Sequence, residues 1–159
     1  MHPNVERVAD AARRAGLEIA VTRFPEGTRT AADAARAVGC EVGQIVKSLV
    51  FVADEEPLIA LVSGVNRVDL ARVAEAIGAA TVRRADGDEV RRATGFAIGG
   101  VPPFGHVRRL RVVVDPDLMT HPTVWAAAGL PDAVFPIAPS DLARISDGRV
   151  VPLAESTRG

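Results

Sequence analysis

Ile45-Val46-Lys47-Ser48-Leu49-Val50-Phe51-Val52 is the most strand-like stretch of the chain, and Asp54-Glu55-Glu56-Pro57 turns it into a second apolar run, Leu58-Ile59-Ala60-Leu61-Val62. Two β-rich runs across a short polar turn read as an antiparallel hairpin. Toward the N-terminus, Thr30 can cap a short helix, with Asp33 in capping-box position and Gly39 at its end. Before it, Asn4 can cap a first helix with Val5, Val8, Ala12 and Ala15 on one face, stopped by Gly16. Leu17–Val21 alternates as a half-buried strand that Pro25-Glu26-Gly27 breaks.

Beyond the hairpin, Asp69 caps a helix through Ala76 ending at Gly78, then Ala80–Arg83 reads as a short strand and Asp88–Ala93 as a helix closing at Thr94-Gly95. Leu110–Val114 is a strand stopped by Asp115-Pro116. His121–Ala138 is open between helix and strand because Val124-Trp125-Ala126-Ala127-Ala128 suits either. Pro139-Ser140-Asp141 opens a last helix to about Ile145, and Arg149–Leu153 is a closing strand. Hairpins mixed with strand–helix–strand connections predict a mixed sheet flanked by helices rather than a doubly wound parallel sheet. No loop has the GxGxxG or Walker spacing of a phosphate cradle.

At 159 residues, 48% of them apolar, the chain is one domain's worth. The 19 basic and 20 acidic residues leave a net charge of −1, which excludes a chain-wide nucleic-acid or membrane field. No apolar run reaches ~18 residues, and the first 14 residues read as an amphipathic helix rather than an export signal, so a soluble cytoplasmic protein is expected. The single cysteine, Cys40, cannot form an internal disulfide and reads as a small buried residue, and no Cys/His spacing suits a metal.

Of the 19 cations, 18 are arginine and one, Lys47, is lysine. Lysine is a compact three-donor charge that arginine's wide planar fork cannot replace in a tight site. The residues alone leave Lys47 open between a functional lysine and an edge-strand gatekeeper. Gly95–Gly105 holds four glycines and two prolines in eleven residues. Gly99-Gly100 lets a ligand approach the backbone and can aim N–H groups at a negative oxygen, while Pro102-Pro103 stiffens the loop. A tight structural turn is the competing reading. His106 follows this loop, and Arg83-Arg84, Arg91-Arg92 and Arg108-Arg109 with Arg111 could form a phosphate-binding patch or simply solvated faces.

Thr28-Arg29-Thr30-Ala31-Ala32, the lysine strand, Thr94–Gly105, Val113-Val114-Asp115 and Ser140-Asp141-Leu142, in this order, resemble the YbaK/EbsC family, relatives of the prolyl-tRNA synthetase insertion (editing) domain. The resemblance covers residues 3–153 as one editing domain, leaving 154–159 as a frayed tail. It implies a single α+β domain with a mixed, barrel-like sheet flanked by helices. The implied activity is trans-editing deacylation: hydrolysis of the ester between a wrong small amino acid and the 3′ end of a tRNA, typically tRNA for proline. The implied partner is the tRNA acceptor end, with prolyl-tRNA synthetase left open as a second; no cofactor, metal or membrane is implied. The family's lysine falls on Lys47 and its G-x-x-x-P motif on Gly99–Pro103. Lys47, Gly99 and Gly100 are thus the expected catalytic groups, and Thr30, Ser48, Phe96, Val101, Pro102, Pro103, Ala127 and Gly129 the expected substrate contacts.

This chain departs from the family pattern at three places. Ala126-Ala127-Ala128-Gly129 stands where Cys-specific members carry a small hydroxyl residue and then glycines, Val134 occupies an acidic position, and Ser48 replaces threonine. These changes point to a more apolar pocket, which would sort side chains by size at ~1–3 kcal/mol per methylene. Cysteine is favoured, with alanine, serine or a small non-protein amino acid still open. The alternatives are a non-catalytic module binding tRNA ends or a synthetase, and a Schiff-base lysine enzyme.

Overall fold

The lysine hairpin is the spine of the molecule. A computed structural model describes residues 2–24 and 30–156. The expected break at Pro25-Glu26-Gly27, the Thr28-Arg29 part of the family motif and the last three residues lie outside them. In chain order the elements are α1 (Pro3–Arg14), β1 (Thr22–Arg23), α2 (Ala31–Val38), β2 (Val46–Ala53), β3 (Glu56–Ser63), α3 (Leu70–Ile77), β4 (Val82–Arg84), α4 (Gly87–Thr94), β5 (Arg111–Val114), β6 (Val124–Ala127), β7 (Ala133–Ile137), α5 (Pro139–Ser146) and β8 (Arg149–Val150). Short 3₁₀ turns occupy Val42–Gln44 and Pro116–Thr120.

Asp54 and Glu55 take φ of 48° and 70°, so the β2–β3 turn is the two-residue mirror-image type that matches strand twist, and Ala53 pairs with Glu56. The Asp54 carboxylate accepts the N–H groups of Ala80 and Thr81, which holds its pKa below the usual value and pins the chain entering β4. The larger sheet runs β4-β2-β3-β5-β8, antiparallel on the β4 side of β3 and parallel beyond it. The smaller runs β1-β7-β6, and one parallel bridge, Ile45–Trp125, joins the two. This is the expected single α+β domain with a mixed sheet and flanking helices, but the barrel is not closed.

Both faces of the larger sheet are covered, which explains the near-continuous apolar runs of β2 and β3. Val46, Val50, Ile59 and Leu61 pack with α1, α4, α5 and the smaller sheet; Phe51, Leu58, Ala60 and Val62 pack beneath α3 and the C-terminal segment around Val151 and Leu153.

Three local expectations change. His2, not Asn4, caps α1, its Nδ1 accepting the Asn4 N–H at 3.0 Å. Among the described residues Leu17–Val21 has no strand partner; Thr22 and Arg23 pair, with Val134 and Ala133. The open segment resolves as the hairpin β6–β7, because Val124 and Ala126 bury one face, and tertiary context overrides alanine's helix propensity.

Candidate active site

β2 and β6 touch at the Ile45–Trp125 bridge and then part, and β4 rejoins β2 only at Phe51–Arg84. Among the described residues no strand pairs with this side of β2 in between. A cavity of about 350 Å³ opens there. Thr30, Ala31 and Ala34 of the α2 start, Trp125–Ala127 of β6, Pro131 and Val134 of the β6–β7 hairpin, and Ile98, Gly99 and Val101 complete its walls with Val46–Val50, Arg84, Ala85 and Val90.

Side chains alternate along β2, so Val46, Ser48 and Val50 face the main core while Lys47 and Leu49 face the other side. The main-chain alternation is as informative. Ile45 carbonyl accepts from Gly64 N–H on the β3 side, and Val50 carbonyl accepts from Ala85 N–H on the β4 side. The N–H and C=O of Ser48 therefore turn toward the cleft. Ser48 meets the cavity through its main chain; its Oγ is buried with no hydrogen-bond partner.

Lys47 is half-buried, and its Nζ donates to Asn66 carbonyl at 2.5 Å. Burial pushes the ammonium below the ordinary lysine value, Asp115 pulls it back up, and Arg67 and Arg84 push it down again. Thr30 caps α2, its Oγ1 accepting the Asp33 N–H at 3.0 Å, which fixes the helix start on the cavity wall.

The glycine-proline loop divides. Gly100 N–H donates to Ala97 carbonyl at 3.0 Å, closing a turn in which Gly99 has φ +94°. That is the glycine position of a type II turn. Among the described residues, Gly99 N–H has no hydrogen-bond partner, and Gly99 lines the cavity. Gly100, expected as a second oxyanion donor, lies off the cavity: its N–H is engaged, and it is buried where a Cβ would come within 3.0 Å of Gly129 O and Leu130 Cα.

Four expected contacts also lie off the cavity. Phe96 is a core residue under the Arg7 guanidinium, 5.1 Å from its ring centre. Pro102 and Pro103 are buried, and Pro102 carbonyl accepts from His106 Nε2 at 2.7 Å. Gly129, at φ +96°, sits against the Asn4 backbone, with no room for a Cβ. Lys47, Gly99, Thr30, Ser48, Val101 and Ala127 are the expected residues that the cavity brings together.

Sequence reasoning missed Trp125, Ile98 and Pro131, and offered Arg84 only as part of a possible phosphate-binding patch. Arg83 and Arg84 are adjacent in a strand and point oppositely: Arg83 grips Glu89 with two bonds of 2.8 and 2.7 Å, while Arg84 reaches the cavity. The Arg83 guanidinium, with the Asp86 N–H of the α4 cap, lowers the Glu89 pKa to about 2. Ile98 is 64% exposed at the rim, which is unusual for a large apolar side chain. Cys40 is half-buried, and burial raises its thiol pKa, so it is a poor nucleophile. Among the described residues no group of three His, Cys, Asp or Glu side chains could hold a metal, and no helix is long and apolar enough to cross a membrane.

The cavity is thus a mainly apolar hollow that brings Lys47 and Gly99 to one wall system. Residues 25–145 match the model of the aminoacyl-tRNA editing domain, and the chain belongs to that family. A solved structure described as a candidate trans-editing enzyme for prolyl tRNA synthetase is 46% identical, with a TM-score of 0.93 over 98% of this chain and 99% of that one. The proline–tRNA ligase of Desulforamulus reducens is 31% identical over 136 residues, 82% of this chain but 24% of the ligase. A candidate Cys-tRNA(Pro)/Cys-tRNA(Cys) deacylase, EbsC of Enterococcus faecalis, is 25% identical over 127 residues, 79% of this chain and 77% of the relative.

Proposed function

We propose that this protein is a trans-editing deacylase acting apart from a synthetase: water cleaves the ester that joins a wrong, small amino acid to the 3′ end of tRNA for proline. The observation that carries this reading is that Lys47 and Gly99 line one cavity. Water attacks the ester carbonyl carbon, the bond to the ribose oxygen breaks, and the ribose oxygen leaves with a proton. Gly99 N–H donates to the carbonyl oxygen as it becomes negative, and the Lys47 ammonium polarises the ester or anchors the phosphate of the terminal adenosine. An aminoacyl ester is already activated, so positioning and one oriented donor suffice without a protein nucleophile.

Ala126, Ala127, Val134 and Ile45 give the acyl end an apolar wall that favours a small side chain. Cysteine is the preferred candidate, supported by the name of the Enterococcus relative, with alanine and serine next. The test is a panel of tRNA for proline charged with Cys, Ala, Ser or Pro. The protein should release the small non-cognate residues and spare Pro, and Lys47→Ala should lower the rate about 100- to 1000-fold at unchanged thermal stability. An active Lys47→Ala protein, or no release from any charged tRNA, overturns the assignment.

A further inference from the structure

Behind the cavity lies a polar cluster that the deacylation chemistry does not touch. Five polar side chains are buried in the described molecule, and three of them, Ser63, Asn66 and Asp115, belong to this cluster. Asp115, 1% exposed, receives Ser63 N–H at 3.1 Å and Asn66 Nδ2 at 2.8 Å on one oxygen, and Asp117 N–H at 2.9 Å on the other. Asn66 Nδ2 also donates to Asp117 at 2.7 Å, and Asp115 N–H donates to Leu61 carbonyl. The cluster thus ties the turn after β3 to the end of β5. It reaches outward at Ser63, whose Oγ donates to Gly43 carbonyl at 2.8 Å, and at Asn66 carbonyl, which accepts the Lys47 ammonium.

A buried carboxylate is costly unless its oxygens are filled, and an apolar pair could have joined β3 to β5 at less cost. The polar design is explained if it serves the lysine. We infer that Asp115 and Asn66 are positioning residues for Lys47: Asn66 presents its carbonyl at a fixed point, Asp115 holds Asn66 there, and the carboxylate favours the charged ammonium. This inference rests on the functional reading of Lys47 given above.

The charged groups around Lys47 are Asp115 with Asp117 beside it at the end of β5, Arg67 in the turn after β3, and Arg84 in β4. The two arginines disfavour the ammonium, so Asp115 is the group that opposes them. Because Lys47 is the sole lysine of the chain, ¹³Cε-lysine labelling gives one side-chain resonance, and its titration reads the site directly.

Asp115→Asn keeps the shape and removes the charge. Its Lys47 titration should move to lower pH than in the native protein, and kcat for deacylation should fall roughly tenfold to a hundredfold, more than any rise in KM. Asn66→Ala keeps the carbonyl but cuts the tether; its Lys47 resonance should shift or broaden and kcat should fall in parallel. It is the variant to read if Asp115→Asn does not fold. A Lys47 resonance and titration unchanged in the folded variants would overturn the inference and leave the cluster as scaffold. If the native protein releases no amino acid, the proposed function fails, while the lysine titration still decides whether Asp115 and Asn66 control that ammonium.

Discussion

The two halves of the glycine-proline loop are adjacent in the chain and differ in kind. The first, Ala97–Gly100, is a turn exposed at Ala97, Ile98 and Gly99; Gly99 lines the cavity, and among the described residues its N–H has no hydrogen-bond partner. The second, Val101–Phe104, is buried; Phe104 packs on Phe135 with ring centres 5.7 Å apart, and Pro102 carbonyl is tied to His106. A motif recognised as a unit is therefore an exposed edge joined to a buried anchor.

The sharpest test separates stability from activity along this loop. Phe104→Ala removes the anchor's largest side chain and should cost about 3–5 kcal/mol in chemical denaturation. The folded fraction should keep its kcat, since Phe104 does not line the cavity. A variant that stays stable would show that the second half anchors nothing. Gly99→Ala should do the reverse. The added Cβ meets only Pro131, at 3.8 Å, so its cost is the left-handed backbone, about 1 kcal/mol. Deacylation should fall by more than that loss explains, because the turn carrying the free amide must readjust. Equal activity in native and Gly99→Ala proteins would erase the distinction between the halves.

What could be read from the sequence follows the range of the interactions. The β2–β3 hairpin, the α2 cap at Thr30 and the α3 cap at Asp69 are decided by neighbours a few residues apart, and each is found where the residues place it. Lys47 stood out because one lysine among 18 arginines on a strand calls for a reason. The β6–β7 hairpin was ambiguous because Ala126-Ala127-Ala128 has no strong preference until Phe135 and its neighbours pair with it. Gly99 and Gly100 were indistinguishable, since a single turn hydrogen bond, Gly100 N–H to Ala97, determines which amide is free. Asn66 and Asp115 are 49 residues apart and meet only through the parallel β3–β5 pairing, which no local pattern reports.

The smallest effect lies at the seam between anchor and exposed loop. His106 is partly buried, and burial pushes its pKa below the ordinary 6.5, although the bond to Pro102 carbonyl opposes the shift. That carbonyl accepts, so Nε2 carries a proton and the neutral imidazole already satisfies it. As pH falls through about 6.5 the unfolded chain takes up a proton at this histidine before the folded protein does. The stability contributed by neutral His106 is thus complete above that pH and is lost progressively below it. Denaturation curves for native protein and His106→Asn at pH 7.5 and 5.5 isolate this residue from the other two histidines. The native protein should lose more stability on acidification than the variant. The opposite difference would mean that His106 binds its proton more tightly when folded, and that the anchor is held by a charged ring.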